Sequence, residues 1–300
     1  MEQHEKKIEN SQFEVFADCP CTVAEGPLWH EGQQTLYWVD VTLGIVYLKR
    51  YNASVNDYKY FDLKLGKIGG MVFLNNNYLL LFAAQGKVWK WSPELNSELY
   101  AELPEAIPSR FNDVIVDPEG RVFCGVAPVE KGGSGSLWRM GKDKSFVCLE
   151  PHTAGMPNGM GFSPDLHYFY FTITDERIIY RYQYDRSTGD LSEKEAFIRV
   201  PDNEGLPDGM TVDTDGCIWS AQWNGHRLVR YSPSSEKLEE FLFPIAKVSS
   251  AVFGGKNYSE LFVTTANYPW NEDDYKRLEA GMVFKLQKNY AGLPENIRYE

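Results

Sequence analysis

Four polar residues carry the first chemistry this sequence suggests: Glu25, Asn112, Asn158 and Asp208. Carboxylates and amide carbonyls are hard oxygen donors, suited to Ca²⁺, Mg²⁺ or Mn²⁺ rather than to thiophilic ions. The four are far apart in the chain, yet each opens a copy of the same phrase. That phrase is a small residue, an apolar strand, a polar turn, a second apolar strand and an aromatic-rich third strand. Its copies open at Glu25-Gly26-Pro27-Leu28, Ile68-Gly69-Gly70-Met71, Asn112-Asp113-Val114-Ile115, Asn158-Gly159-Met160-Gly161, Asp208-Gly209-Met210-Thr211 and Ser249-Ser250-Ala251-Val252.

The copies recur at roughly 40–50 residues, the period of β-propeller blades. In a propeller the innermost strand of each blade lines one central channel. Equivalent positions at the start of those strands therefore form a ring, and oxygen donors occupy four of its six places. Asn and Asp also begin strands and turns for purely structural reasons. Four donors aimed at one channel favour a cation site with positions left open for a substrate. The expected fold is all-β, a six-bladed propeller with a divalent cation in its channel.

The elements that must position these residues follow from period-2 alternation bounded by turn chemistry. Val114 to Phe123 reads as two strands around Pro118-Glu119-Gly120, and Thr211 to Trp219 is its cousin. Asp213-Thr214-Asp215-Gly216 invites a calcium-loop reading, but the further oxygen ligands and flanking helices of an EF-hand are missing, so a hairpin turn is expected. Third strands are read in Val46-Tyr47-Leu48, Ile178 to Tyr182 and Leu228 to Tyr231, and no long amphipathic helix is found. Phe13 to Ala17 precedes the first repeat and has no blade of its own. An open propeller would leave bare sheet edges, so this strand is expected to join the blade ending near Met282 to Leu286.

Composition narrows the partners. Apolar residues make up 43% of the chain and aromatics 14%, enough for a packed core and against disorder. A net charge of −12 opposes binding to nucleic acid, whose phosphates need clustered Lys and Arg. No apolar run is long enough to span a bilayer. Residues 1–12 read as a polar tail and 13–300 as one propeller domain, with Gly132-Gly133-Ser134-Gly135 a loop inside the third blade. The odd, scattered cysteines Cys19, Cys21, Cys124, Cys148 and Cys217 suggest reduced thiols and a cytoplasmic protein. No histidine pair has zinc spacing, and only His226 falls near the expected channel mouth, with Trp223, Tyr268 and Trp270 as further candidates to line it.

Several segments resemble the gluconolactonase family, with its relatives senescence marker protein (regucalcin) and luciferin-regenerating enzyme. They are Ala24-Glu25-Gly26-Pro27-Leu28-Trp29, Arg110-Phe111-Asn112-Asp113, Val116-Asp117-Pro118-Glu119-Gly120, Pro157-Asn158-Gly159-Met160, Pro207-Asp208-Gly209-Met210 and Phe253-Gly254-Gly255. The resemblance runs from about Glu14 to Leu286. It implies one divalent cation, most readily Ca²⁺ and otherwise Mg²⁺, Mn²⁺ or Zn²⁺, on Glu25, Asn158 and Asp208. Asn112 is implied beside the cation, as a fourth ligand or as a substrate contact. Arg110, and by a looser local match Glu130, fall where the family's sugar-lactone enzymes hold substrate hydroxyls. The chain departs from the family at Phe171-Thr172-Ile173, where an Asp is usual, at Cys124-Gly125-Val126-Ala127, and at His226.

The activity implied is opening of a sugar (aldono-) lactone such as gluconolactone. The cation would polarise the carbonyl, Asp208 would serve as the base for the attacking water, and Arg110 would orient the sugar. The alternatives are a phosphotriesterase-like hydrolase and a non-catalytic calcium-binding regulatory propeller. The expected partner is a small-molecule sugar lactone, with no nucleic acid and no membrane.

Overall fold

Where the sequence alternates around an Asp-x-x-Gly turn, the chain makes a tight hairpin. Asp117 Oδ1 accepts from the backbone N–H groups of Glu119 and Arg121, and Gly120 takes φ +80°. Asp213 Oδ1 does the same for Asp215 and Cys217, with Gly216 at φ +78°. A carboxylate that satisfies its own turn's donors is a standard local device. The calcium-loop reading of Asp213 is thereby replaced by the expected hairpin.

The computed structural model describes residues 12–75, 78–104, 109–268 and 280–299. Among them are six four-stranded antiparallel sheets, the six blades of a propeller. Their inner strands are Ala24–His30, Ile68–Leu74, Phe111–Val116, Pro157–Phe162, Leu206–Val212 and Val248–Gly254, in blades 1 to 6. Each inner strand neighbours the next, and blade 6 returns to blade 1. Helix among the described residues is limited to two 3₁₀ turns, Thr174–Glu176 and Lys256–Tyr258. None is long and apolar enough to cross a membrane. Residues 1–11, which hold most of the expected polar tail, and Trp270 lie outside the described residues.

The ring closes as expected. Strand Phe13–Ala17 pairs with Val283–Leu286 at the outer edge of blade 6, in the register Phe13 to Leu286 and Val15 to Phe284. Lys285 Nζ reaches Glu14 at 3.0 Å beside this seam. One sheet therefore contains both ends of the propeller, and Phe13–Ala17 is its outermost strand.

Packing explains why both faces of the blades are apolar. Six buried clusters fill the six gaps between neighbouring blades, such as Leu28, Val39 and Val46 against Met71 and Leu81 between blades 1 and 2. The inner strands come closest, and glycine permits it. A Cβ on Gly159 would stand 2.6 Å from the Asp208 carbonyl oxygen, and one on Gly69 would stand 1.7 Å from that of Phe111. The Asn-Gly and Asp-Gly pairs of the repeat are thus a polar group facing the axis followed by a residue thin enough for the next blade.

Candidate metal and substrate site

All six inner strands break register near their first residues. The slips fall between Glu25 and Leu28, Ile68 and Gly70, Asn112 and Val114, Asn158 and Met160, Pro207 and Met210, and Val248 and Ser250. A bulge re-aims side chains and increases local twist. Placed at the same point in every blade, it defines one polar level around the axis. Glu25, Asn112, Asn158 and Asp208 belong to this level, each with 6–9% of its surface exposed.

A hydrogen-bond chain joins three of those blades. Arg110 Nη1 donates to the Phe111 carbonyl at 3.0 Å and to Asn112 Oδ1. Asn112 Nδ2 donates to the Pro157 carbonyl at 2.7 Å and to Asn158 Oδ1 at 3.0 Å. Asn158 Nδ2 donates to Thr174 Oγ1 at 2.9 Å, whose hydroxyl donates to the Pro207 carbonyl at 2.8 Å. Both amides are fixed by what they donate to, so their carbonyl oxygens have defined directions. Asn112 Oδ1 accepts from Arg110 and Asn158 Oδ1 accepts from Asn112, so each amide oxygen keeps one further lone pair.

Electrostatics bind the opposite side of the ring to this chain. Burial first, then the charges of Asp208 and Asp113, push the Glu25 carboxyl well above its ordinary range. The Gly26 N–H, 3.1 Å from Glu25 Oε2, and Arg110 offset this in part. Burial and then Asp113 raise Asp208, against the pull of Arg110 and a hydrogen bond from Asn158. Asp113 is raised by burial to about 7. Burial lowers Arg110, and Glu25, Asp113 and Asp208 together hold it up. Three carboxylates and one guanidinium thus share a poorly hydrated space, and the carboxylates repel one another.

That excess is what a divalent cation would relieve, and the oxygen donors are of the hard type it prefers. No group of three or more His, Cys, Asp or Glu side chains is placed to hold a metal ion by itself among the described residues. The candidate set is of a different kind, two carboxylates completed by amide oxygen. Glu25, Asp208 and Asn158 fit such an ion.

Sequence reasoning missed two residues. Asp113 takes φ +53° inside the blade 3 bulge. Its signal was its place, since the residue after Asn158 and after Asp208 is glycine while the residue after Asn112 is a carboxylate. Thr174 follows the departure at Ile173. Ile173 itself is fully buried in the cluster between blades 3 and 4, whereas Thr174 supplies the hydroxyl that links Asn158 to blade 5.

Glu130 is exposed, on a turn where its carbonyl accepts from Gly133 N at 2.9 Å. Trp223 ends a strand at the ring end of blade 5, and Lys247 Nζ lies 5.8 Å from its ring centroid. His226 has φ +57° and is held through its backbone, donating to the Ala246 carbonyl and accepting from Phe243 N. Tyr268 is 41% exposed. Cys19 and Cys21 are buried thiols 3.6 Å apart, and none of the five cysteines forms a disulfide among the described residues.

Comparison with known proteins agrees with this architecture. Residues 23–267 match the model of the SMP-30/Gluconolactonase/LRE-like region. The chain is 40% identical over 283 residues to the pentonolactonase XacC of Haloferax volcanii, covering 93% of this chain and 95% of that protein. It is 30% identical over 271 residues to regucalcin of Danio rerio, covering 88% and 90%. Among solved structures, a calcium-binding regucalcin from Agrobacterium tumefaciens superposes with a TM-score of 0.87 at 23% identity, covering 95% of this chain and 96% of that one. Luciferin-regenerating enzyme does so with a TM-score of 0.85 at 25% identity, covering 96% and 99%. The bulged polar ring and this similarity along nearly the whole chain lead to one conclusion: the protein belongs to the SMP-30/gluconolactonase/LRE-like family.

Proposed function

We propose that this protein is a divalent-cation-dependent lactonase that opens aldonolactones, with five- and six-carbon sugar lactones as its substrate class. The observation that carries the reading is the joining of Arg110, Asn112 and Asn158 in one hydrogen-bond chain beside the buried carboxylates Glu25 and Asp208. The 40% identity to a pentonolactonase supports the substrate class.

Glu25, Asn158 and Asp208 would hold the cation, with Ca²⁺ first and Mg²⁺, Mn²⁺ or Zn²⁺ as alternatives. When bound, the ion supplies Lewis acidity at the lactone carbonyl. Asp208 takes a proton from the attacking water as the oxygen adds to the carbonyl carbon. The ring C–O bond then breaks and the departing oxygen takes up the proton held by Asp208, giving the hydroxy acid and restoring the base. A ligand carboxylate is ordinarily a weak base; burial and Asp113 act in the opposite direction and keep Asp208 basic. Arg110 keeps donors beyond the one shared by Phe111 and Asn112, and offers them to substrate hydroxyls. Asn112 acts as spacer and substrate contact, and Glu130, on its exposed turn, would be a further contact to the sugar.

A panel of pentono- and hexonolactones assayed beside an aryl phosphotriester tests the reading. Release of sugar acid with little aryl release is expected. Phosphotriester turnover without lactone opening would contradict it.

A further inference from the structure

Below the polar ring the channel opens into a cavity of about 350 Å³. Its walls are the later residues of the inner strands, among them Met71, Ile115, Met160, Met210 and Val252. Its floor is a different part of the chain. Leu293, Pro294, Glu295 and Asn296 lie across the opening.

This segment is anchored on opposite sides of the propeller. At one side Gly292 N donates to the Tyr258 carbonyl of blade 6 at 2.8 Å, and Thr214 N of blade 5 donates to the Ala291 carbonyl at 2.8 Å. At the other side Arg298 N donates to the Phe73 carbonyl at 3.1 Å, and Asn75 N of blade 2 donates to the Arg298 carbonyl at 2.8 Å. Asn296 Nδ2 donates to the Val116 carbonyl of blade 3 at 2.9 Å. In a six-blade ring, blades 5 and 6 face blades 2 and 3, so residues 291–298 span the channel end.

Arg298 is the pin. Its side chain is 1% exposed and donates to the carbonyls of Gly120 at 2.8 Å and of Gly141 and Lys142 at 2.9 and 3.1 Å, with Tyr100 Oη at 3.2 Å. A guanidinium has five donors in a fixed fork, and here they are spent on loop carbonyls that only a correctly seated strap can reach. Gly292 shows the same fit at the other end, where a Cβ would stand 2.1 Å from the Phe253 ring.

We propose that residues 291–298 are a plug that lies across the far end of the channel and restricts passage there. Terminal segments are normally poorly held unless tied down; this one is tied at both sides of a hole. The plug keeps bulk water from reaching the ring carboxylates from below. It also directs small molecules past Arg110 and Asn112. The inference stands on the strap's anchors and is independent of the lactonase reading.

The test uses a reporter thiol inside the cavity. Thr211 lines the cavity, and Thr211→Cys in a Cys148→Ser background is labelled with a small charged methanethiosulfonate. Each variant without the added thiol serves as its own blank. In the intact chain labelling is expected to be slow. With Arg298→Ala, or with Leu293→Gly and Pro294→Gly together (which leave every anchor in place), it should accelerate about ten-fold or more while circular dichroism stays native. Labelling in the intact chain as fast as at an exposed thiol, or no acceleration in either folded variant, would overturn the proposal.

Discussion

Asn112 Nδ2 donates to Asn158 Oδ1 at 3.0 Å, although the two residues are 46 apart in the chain. The bond crosses from blade 3 to blade 4 and fixes which way the Asn158 carbonyl faces. Asn112 is therefore a positioning residue for Asn158 as well as a group on the channel. Asn112→Ala should lower kcat/KM by about a hundred-fold or more and cost about 1–2 kcal/mol of stability through the orphaned partners. Asn112→Asp should not rescue, because an ionised carboxylate cannot donate to Asn158 or to the Pro157 carbonyl. Steady-state kinetics with thermal unfolding of both variants checks this.

Glu25 and Asp208 are mutually repelled and desolvated. In chelated protein, Asp208→Asn should raise the thermal midpoint by about 2 °C or more, since one buried like charge is removed. In the presence of Ca²⁺ the order should invert, wild type gaining from the ion and the variant gaining little. A variant that is less stable than wild type in both conditions would count against the electrostatic account.

Arg110 touches Asn112 and the Phe111 carbonyl through one nitrogen, which leaves its planar fork for substrate. Arg110→Lys keeps the charge and loses the fork. KM should rise about ten-fold with a smaller change in kcat, and the effect should shrink for lactones with fewer hydroxyls. Comparing a hydroxylated lactone with a simple aliphatic one measures it.

Glu295 is raised by burial to about 7. A carboxyl harder to ionise in the folded chain than in the unfolded one gives its full advantage below the ordinary value near 4, and loses it as pH rises through about 7. Glu295→Gln should therefore match wild type at pH 4 and exceed it at pH 8. The gain should be about 1 kcal/mol, small because the side chain is only partly buried. Urea unfolding at the two pH values reads this difference.

Much of the fold was legible because its signals are local and repeated. Period-2 alternation, Asp-x-x-Gly turns and six copies of one phrase point to a propeller, and the unclaimed strand at Phe13 pointed to its seam. The ring at Glu25, Asn112, Asn158 and Asp208 was legible because equivalent positions in a repeat share one axis. What escaped was set by non-local contact. Asp113 reads as an ordinary turn residue until the blade 3 bulge shows φ +53°. Thr174 lies next to the Ile173 departure, and its link to Asn158 depends on how two blades meet. Residues 291–298 carry no strand pattern at all, because their bonds go to blades on opposite sides of the ring.

The central claim is a divalent cation held by Glu25, Asn158 and Asp208 and required for lactone opening. The measurement is hydrolysis of a pentonolactone and of gluconolactone after exhaustive chelation, with Ca²⁺, Mg²⁺, Mn²⁺ or Zn²⁺ returned singly and each binding followed by calorimetry in wild type and Glu25→Gln. The account predicts loss of turnover on chelation, recovery with at least one cation at a one-to-one ratio, and loss of that binding in Glu25→Gln. Full turnover by the chelated wild type would contradict it.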